Sequence, residues 1–512
     1  MPEPSVHSSG LIARNTLMLY IRMLLVMGVS LYTSRIVLDR LGVVDYGIFN
    51  VVGGVVVMLS FLNGAMGQSS QRFLSYELGR KDIDKLTRTF STSVTIHLLI
   101  AVVILVLAET VGLWFLNREM TIPRSQMSGA NWVYQCAVVS LIISIVQVPY
   151  TAAIIARERM KIYAYIGILE VCMKLGVAFS LSLFPGDKLK FYALLILLSV
   201  VVSNLVNILY CRRYFDECGC VRVQFDKELF RPMVRFASWS MYGALAWVGR
   251  SQGCNLILNL FFGPVVNAAY GISGQVNEAV NRFVRSFATA VNPQIVKTYS
   301  AGEYDSMQSL MTYGAKLSFF LLLILSFPVL LVTDKLLNIW LVDVPEYAVI
   351  FTRLIILNSL VESFSYSMSV GIQSTGKIKR YQILVGSTVL LNMPVSYILL
   401  RFGYAPTVVF ITNICLSCVT VIERLSLMKR LIPEFSVWSF VRVVFIPSLI
   451  VGMVCIGLYI LYNILGLTDR INIFVTMILS LVTAILIEFS LGLDSGERRL
   501  VCDWIRSKIL RV

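Results

Sequence analysis

The sequence predicts an all-α, multi-pass membrane protein of about fourteen spanning helices: two parallel six-helix repeats around a central cavity, plus two C-terminal helices. Three observations carry that expectation. The 512 residues are 57% hydrophobic and only 14% charged, whereas a soluble chain of this length carries about 25% charged residues. Apolar stretches of spanning length recur along the whole chain. A segment that follows the second of them has a counterpart after the eighth.

In chain order the apolar segments lie near 11–41, 44–71, 90–117, 130–156, 161–184, 189–213, 234–262, 264–292, 310–334, 345–372, 379–402, 404–428, 438–463 and 471–492. The opening MPEPSVHSSG lacks a basic n-region, and the next segment is too long and too arginine-bearing for a cleaved signal, so an uncleaved first helix is expected. Connections are short. The longest, YFDECGCVRVQFDKELFRPMVR (214–235), suits an interfacial helix capped by Asp226, with Leu229, Phe230, Met233 and Val234 on its apolar face. The tail has the same character, with Val501, Trp504, Ile505, Ile509 and Val512 on one side and Arg498, Arg499, Arg506 and Arg511 as its basic residues. The expected organisation is an N-terminal tail (1–10), a first bundle (11–213), a linker (214–233), a second bundle (234–430), helices 13 and 14 (431–493) and a basic tail (494–512).

Charge orients the chain. With the N-terminus in the cytoplasm, the cytoplasmic connections contain RKDIDKLTR (80–88), RERMK (157–161), Arg212 to Arg235, KIKR (377–380), KR (429–430) and the tail from Arg498. Roughly 28 of the 44 Lys and Arg residues then lie inside, the bias that the positive-inside rule requires. An even number of spans returns the C-terminus to the cytoplasm. The net charge of +15 therefore reports topology and contact with anionic lipid, and no extramembrane module exists to carry nucleic acid.

An internal repeat organises the helices. SQRFLSYELGRKD (70–82) aligns with PQIVKTYSAGEYD (293–305), so that Gln71, Tyr76, Gly79 and Asp82 match Gln294, Tyr299, Gly302 and Asp305. Upstream, LGVVDYGI (41–48) parallels FGPVVNAAYGI (262–272). Both copies run the same way across the membrane, which implies a parallel repeat and a cleft between two bundles that rock to alternate access.

Eight basic residues fall inside spans: Arg22, Arg35, Lys174, Arg250, Arg282, Arg285, Lys316 and Arg353. Each costs about 2.5–3.5 kcal/mol at a bilayer centre on insertion scales. Ion pairs and snorkelling are one explanation; a water-filled cationic cavity is the other. In helix 8, Gln275, Glu278, Arg282, Arg285, Thr289 and Asn292 recur at spacings of three and four and form one polar stripe. Glu278 stands one turn before Arg282 and can neutralise one arginine, leaving another unmatched. Helix 7 adds Arg250, Gln252, Asn255 and Asn259, and helix 1 adds Arg22. Arg22, Arg250, Arg282 and Arg285 are the candidate anion-binding residues, with Gln252, Asn255, Gln275, Glu278 and Asn292 as polar cavity lining. Arg35 suits snorkelling, Lys316 and Arg353 suit positions near an interface, and Glu170 and Lys174 form an i,i+4 pair. Glu170 and Glu362 are the acids that could bind a coupling proton or sodium ion.

Gly53, Gly54, Gly64, Gly67, Gly243, Gly249 and Gly253 permit close packing or bending, and Pro328, Pro394 and Pro447 can kink their spans. The ten cysteines show no disulfide framework, and with only His7 and His97 a metal site is not expected. No Walker A sequence occurs. Any energy input is an ion gradient, the membrane potential or the substrate gradient.

TSRIVLDRLGVVDYGIFNVVGG (33–54), FLNGAMGQSSQRFLSYELG (61–79) and VPYTAAIIARERMKIYAYIGILE (148–170) resemble the polysaccharide-transporter family of Wzx-like O-antigen flippases, within the MOP superfamily that also holds MATE exporters and MurJ-type lipid II flippases. The resemblance is strongest over the first 170 residues. It implies a bacterial inner-membrane protein, not an enzyme and without a cofactor, that flips undecaprenyl-diphosphate-linked oligosaccharide to the periplasmic leaflet. Its partners would be that lipid, the surrounding membrane and polysaccharide-assembly proteins, with no nucleic acid. A lipid II flippase, a MATE-like small-molecule exporter and a membrane glycosyltransferase or polymerase are the alternatives. An arginine-rich cavity argues against cationic drugs, and no large periplasmic loop or acidic loop motif favours the enzyme.

Overall fold

A computed structural model of the chain describes residues 6–42, 45, 48–49, 52, 61–118, 126–219, 226–341, 343–465 and 472–499. Among the described residues the structure is helical without strands, and ten helices are long and apolar enough to cross a membrane. We label the helices α1 (Val6–Leu41), α2 (Phe61–Arg80), α3 (Ile83–Arg118), α4 (Met127–Ala156), α5 (Met160–Ser180) and α6 (Lys188–Tyr214). Lys227–Ser300 is one 74-residue helical run broken only at Gly263, whose φ of 75° and ψ of −169° are non-helical. The break gives α7 (227–262) and α8 (264–300). Then follow α9 (Tyr304–Leu331), α10 (Ala348–Ser374), α11 (Lys379–Arg401), α12 (Val408–Leu431), α13 (Val437–Ile464) and α14 (Ile473–Gly492).

The chain divides into two compact units. The first comprises Ser5–Met241 and the short return Val296–Gly302. In it α4 packs against α2, α3 and α6, while α1 lies along α5. Phe90 meets Tyr150 edge-on at 5.2 Å, within a core that also buries Leu74, Leu86 and Ile154. Toward the other end of α3 a second cluster gathers Leu116, Val133 and Tyr134. There the α3 ladder widens into a π-turn over Ala108–Gly112, and the Tyr134 hydroxyl donates to the Ala108 carbonyl at 2.8 Å. A side chain inserted beside the ladder is a recognised cause of such a bulge. Gly112 leaves room for that phenol, because a Cβ there would collide with the Tyr134 hydroxyl.

Asp226 caps α7 as its position predicts, accepting from the Glu228 backbone N–H at 3.0 Å. Burial works against its charge, but Arg88 and the N–H groups of Glu228 and Leu229 outweigh that and hold its carboxyl below the usual range. The linker differs from a separate interfacial helix. The helical run starts at Lys227, Leu229 and Met233 are buried, and the Ser69 hydroxyl donates to the Met233 carbonyl at 3.1 Å. The tail residues 501–512 and most of 43–60, including Gly53 and Gly54, lie outside the described residues.

The second unit comprises Tyr242–Ile295 and the chain from Glu303 onward. Here α12 packs against α10 and α11, and α9 against α10 and α14. Phe351 and Phe410 approach to 4.3 Å, and Phe319 stacks on Phe364 at 4.8 Å. The glycines of α7 serve packing: a Cβ on Gly243 would strike Gln382, one on Gly249 would meet Leu390 at 3.1 Å, and one on Gly253 would strike Met393, all three on α11. Pro328 lies inside the continuous α9, whereas Pro394 and Pro447 act as residues that lack an N–H and crowd the carbonyl four positions back. The regular α-ladder of α11 is interrupted at Leu391, three residues before Pro394, and α13 passes through a π-turn at Val441–Phe445 just before Pro447. Lys316 is buried rather than open. It is 2% exposed on α9 and pairs with Glu497, just past α14, at 2.6 Å.

The bulge in α3 gives a non-additive prediction. Gly112→Ala should lower stability by about 1–3 kcal/mol through overpacking, and Tyr134→Phe by about 1 kcal/mol through the lost hydrogen bond. The double variant should lose less than the sum, because removing the hydroxyl relieves the collision; denaturant titration in mixed micelles checks this.

Candidate functional site

On α8 the polar stripe is real, and its charges do not balance. Arg285 forms a two-pronged contact with Glu278, at 3.3 and 3.0 Å, while Arg282 reaches the same carboxylate only at 3.8 Å. The seven-residue spacing therefore supplies a better hydrogen-bonded partner than the four-residue one. One carboxylate serves two guanidiniums, leaving one net positive charge. All three stay open, with side chains 53% (Arg282), 57% (Arg285) and 44% (Glu278) exposed. Exposed pairs of this kind contribute at most about 1 kcal/mol, so the arginines give up little by exchanging Glu278 for another anion.

Arg250 differs from them. It lies buried on α7, donates to Glu362 of α10 at 2.8 Å and to Asn413 of α12 at 2.9 Å, and rests over Trp247 at 4.6 Å. Ser417 of α12 adds a bond to Asn358 at 2.8 Å and a longer one to Glu362 at 3.4 Å. Both acids singled out for ion coupling thus hold a cation: Glu362 holds Arg250, and Glu170 holds Lys174 at 2.6 Å. A coupling ion at either position would have to displace that partner. Arg353 reaches Asp334 only at 3.9 Å and lies over Tyr459.

In the first unit Arg22 packs its guanidinium onto α5. Its Cζ sits 4.3 Å from the Tyr163 ring centre, and Gly167 makes the approach possible, since a Cβ there would collide with the guanidinium. Its Nε is buried without a hydrogen-bond partner. The structure therefore places Arg22 on an aromatic face, worth about 0.5–2 kcal/mol. The Arg35 side chain lies outside the described part. Gln252 and Gln275 are exposed, Asn255 and Asn292 half-buried, and among the described residues none of the four engages its side chain in a hydrogen bond.

Sequence reasoning missed two clusters. Asn277 and Asn281, one turn apart on α8, join Ser359 and Tyr366: Tyr366 donates to Asn281 at 3.0 Å, and Ser359 donates to Asn277 at 2.8 Å. Their four-residue spacing was the available signal. The other cluster lies at the basic end of the first unit. Lys297 pairs with Glu158, which has a left-handed φ of 58° in the α4–α5 turn and whose carbonyl accepts from Asn15 at 3.4 Å. Tyr299 lies 6.5 Å from Tyr76, its counterpart in the aligned segments. Gly79 lets the backbones approach, for a Cβ there would collide with the Ser300 hydroxyl and stand 2.6 Å from the Lys297 carbonyl. Here the signal was the alignment itself, which makes Tyr76 and Tyr299 counterparts.

The model of the polysaccharide biosynthesis protein family matches residues 12–299, and that of the MatE family matches residues 247–398. Among solved structures, the chain is similar to a MATE in the straight conformation, with a TM-score of 0.69, 15% identity and coverage of 83% of this chain and 96% of that one. An outward-facing multidrug resistance MATE family transporter of the MOP superfamily gives 0.68, 14%, 82% and 96%. A MOP superfamily transporter from Pyrococcus furiosus, described as having reversed pocket polarity, gives 0.66, 14%, 82% and 96%. At this identity the structures speak for the fold. No curated protein sequence matches the chain.

The charges separate into two classes that stability measurements can tell apart. Glu362→Ala, which strands a buried guanidinium, should cost about 3–5 kcal/mol. Arg282→Ala and Arg285→Ala should each stay within about 1 kcal/mol of the parent in the same micellar unfolding assay.

Proposed function

The chain belongs to the polysaccharide biosynthesis protein family and is a membrane transporter of the MOP superfamily, and on that premise we propose that it flips undecaprenyl-diphosphate-linked oligosaccharide from the cytoplasmic to the periplasmic leaflet of a bacterial inner membrane. The observation that carries the proposal is the α8 face, where Arg282 and Arg285 stand half exposed and share one carboxylate. A diphosphate offers more anionic oxygens than Glu278 and suits planar guanidinium forks. Gln252, Asn255, Gln275 and Asn292 leave amides for sugar hydroxyls. The polyprenyl tail stays in lipid. Both termini are cytoplasmic in this reading, following the charge bias.

The MatE match keeps a second reading alive, a small-molecule exporter. The net positive charge of the α8 face argues against a cationic cargo. Arg282→Ala/Arg285→Ala should fold and insert normally, abolish surface glycan in a deletion strain, and strand the lipid-linked oligosaccharide on the cytoplasmic face. Undiminished surface glycan would overturn the assignment, and accumulation of lipid II instead would redirect it to the peptidoglycan precursor.

The contact of Tyr76 with Tyr299, which joins the end of α8 to the first unit, is one that this proposal expects to rearrange during alternating access. A Tyr76→Cys/Tyr299→Cys protein joined by a short bis-maleimide should lose export, whereas the same pair left unlinked should keep it. Export that persists at full rate after complete cross-linking would remove the contact from the cycle.

A further inference from the structure

At the end of the first unit opposite its basic turns, a groove of about 630 Å³ opens between the start of α4, the α5–α6 turn and the start of α6. Its size falls within the ~300–1,000 Å³ of small-molecule sites. Its surfaces are of two kinds. The aromatic part is Trp132, 45% exposed, with Phe184 and Phe191 stacked in parallel at 4.0 Å. The polar part is Asn131 and Gln135, one turn apart on α4, with Asp187 and Lys190 at the start of α6.

The groove is built rather than incidental. The indole N–H donates to the Lys190 carbonyl at 3.2 Å, which orients the ring while the side chain stays 45% exposed. Asn131 exchanges amide hydrogen bonds with Asn117 at 3.1 and 3.2 Å, and Gln135 donates to Glu109 at 3.1 Å. Asp187 caps α6 through the Lys190 N–H at 3.2 Å. A fixed aromatic face beside oriented amides and a carboxylate is what a pyranose needs: its C–H face lies on the ring, and its equatorial hydroxyls meet the planar polar groups. Fixing the groups beforehand lowers the ordering cost of binding. A lone interfacial tryptophan would satisfy the membrane boundary alone; the aligned amides and the Phe184–Phe191 pair add a polar and a stacking side that such anchoring does not use.

We propose that this groove is a saccharide subsite that receives the glycan of the transported lipid on the outer side, apart from the arginines that hold its diphosphate. The proposal rests on the flippase reading for the identity of the glycan, but the binding event can be measured without transport. The probe is the free oligosaccharide released by mild acid from the cell's own undecaprenyl-linked pool, added to the purified full-length protein in detergent and followed by saturation-transfer NMR. The parent protein should show sugar contacts. Trp132→Ala and, independently, Asn131→Ala/Gln135→Ala should weaken binding about tenfold while eluting as monodisperse species, and should slow export several-fold. Arg282→Ala/Arg285→Ala should keep the sugar contacts yet lose export.

Unchanged sugar binding in Trp132→Ala and in the Asn131→Ala/Gln135→Ala double variant would overturn the subsite. So would loss of the sugar signal when phosphatidylglycerol is added, which would mark the groove as a lipid site. Sugar binding at Trp132 in a protein whose deletion strands no lipid-linked glycan would instead sink the flippase reading and leave the subsite standing.

Discussion

A charge carried into an apolar helix must meet an opposite charge or keep access to water, and the rest of the architecture follows from how each basic residue meets that demand. Lys316 meets it with Glu497, which ties the end of α14 to α9. Arg250 meets it with Glu362 and Asn413, joining α7, α10 and α12 at one point. Lys174 meets it within its own helix. The first two pairs fix helix positions, since a buried ion pair tolerates little displacement. Arg282 and Arg285 meet it only in part. Their shared acid leaves a surplus that water or a visiting anion must satisfy. Cations held in a full pair and cations left with a surplus are thus divided by the supply of carboxylates rather than by their depth in the sequence.

The helices were legible because hydrophobic length is a one-dimensional property. So was the helix cap at Asp226, the Glu170–Lys174 pair and the stripe on α8, since each depends on local spacing. Partners between helices were not. Glu362 lacks a local counterion, and nothing in the spacing of α10 names Arg250 on α7 as its mate. Nor does any local spacing name the acid that pairs with Lys316, which lies 181 positions away. The contact of Arg22 with Tyr163 is equally hidden, because it depends on Gly167 opening the surface of α5. A glycine in a helix reads as mere permission until the neighbour that uses the gap is known. The start of α7 shows the same limit: Leu229 and Met233 are buried, and an amphipathic pattern is the same whether its apolar side meets lipid or protein.

The two proposed recognition surfaces differ in physical kind. The α8 arginines act through charge, which is long-ranged and indifferent to sugar identity. The groove at Trp132 acts through shape and stacking, which are short-ranged and sensitive to the stereochemistry of each ring. A carrier that handles one anchor with many possible glycans gains from keeping these functions on separate residues. The constant part of the cargo then needs only the cations, and variation among glycans can be met by substitution around the groove without disturbing them.

The return of Val296–Gly302 to the first unit has a consequence for how this chain can be divided. A break after Met241 would separate most of the two units, but it would leave Lys297 and Tyr299 on the fragment that lacks Glu158 and Tyr76. The border between the units is therefore a poor seam for recombination. Exchange of halves between relatives would have to carry the end of α8 with the N-terminal half or match it to the recipient, and that requirement couples the inheritance of two segments more than a hundred residues apart.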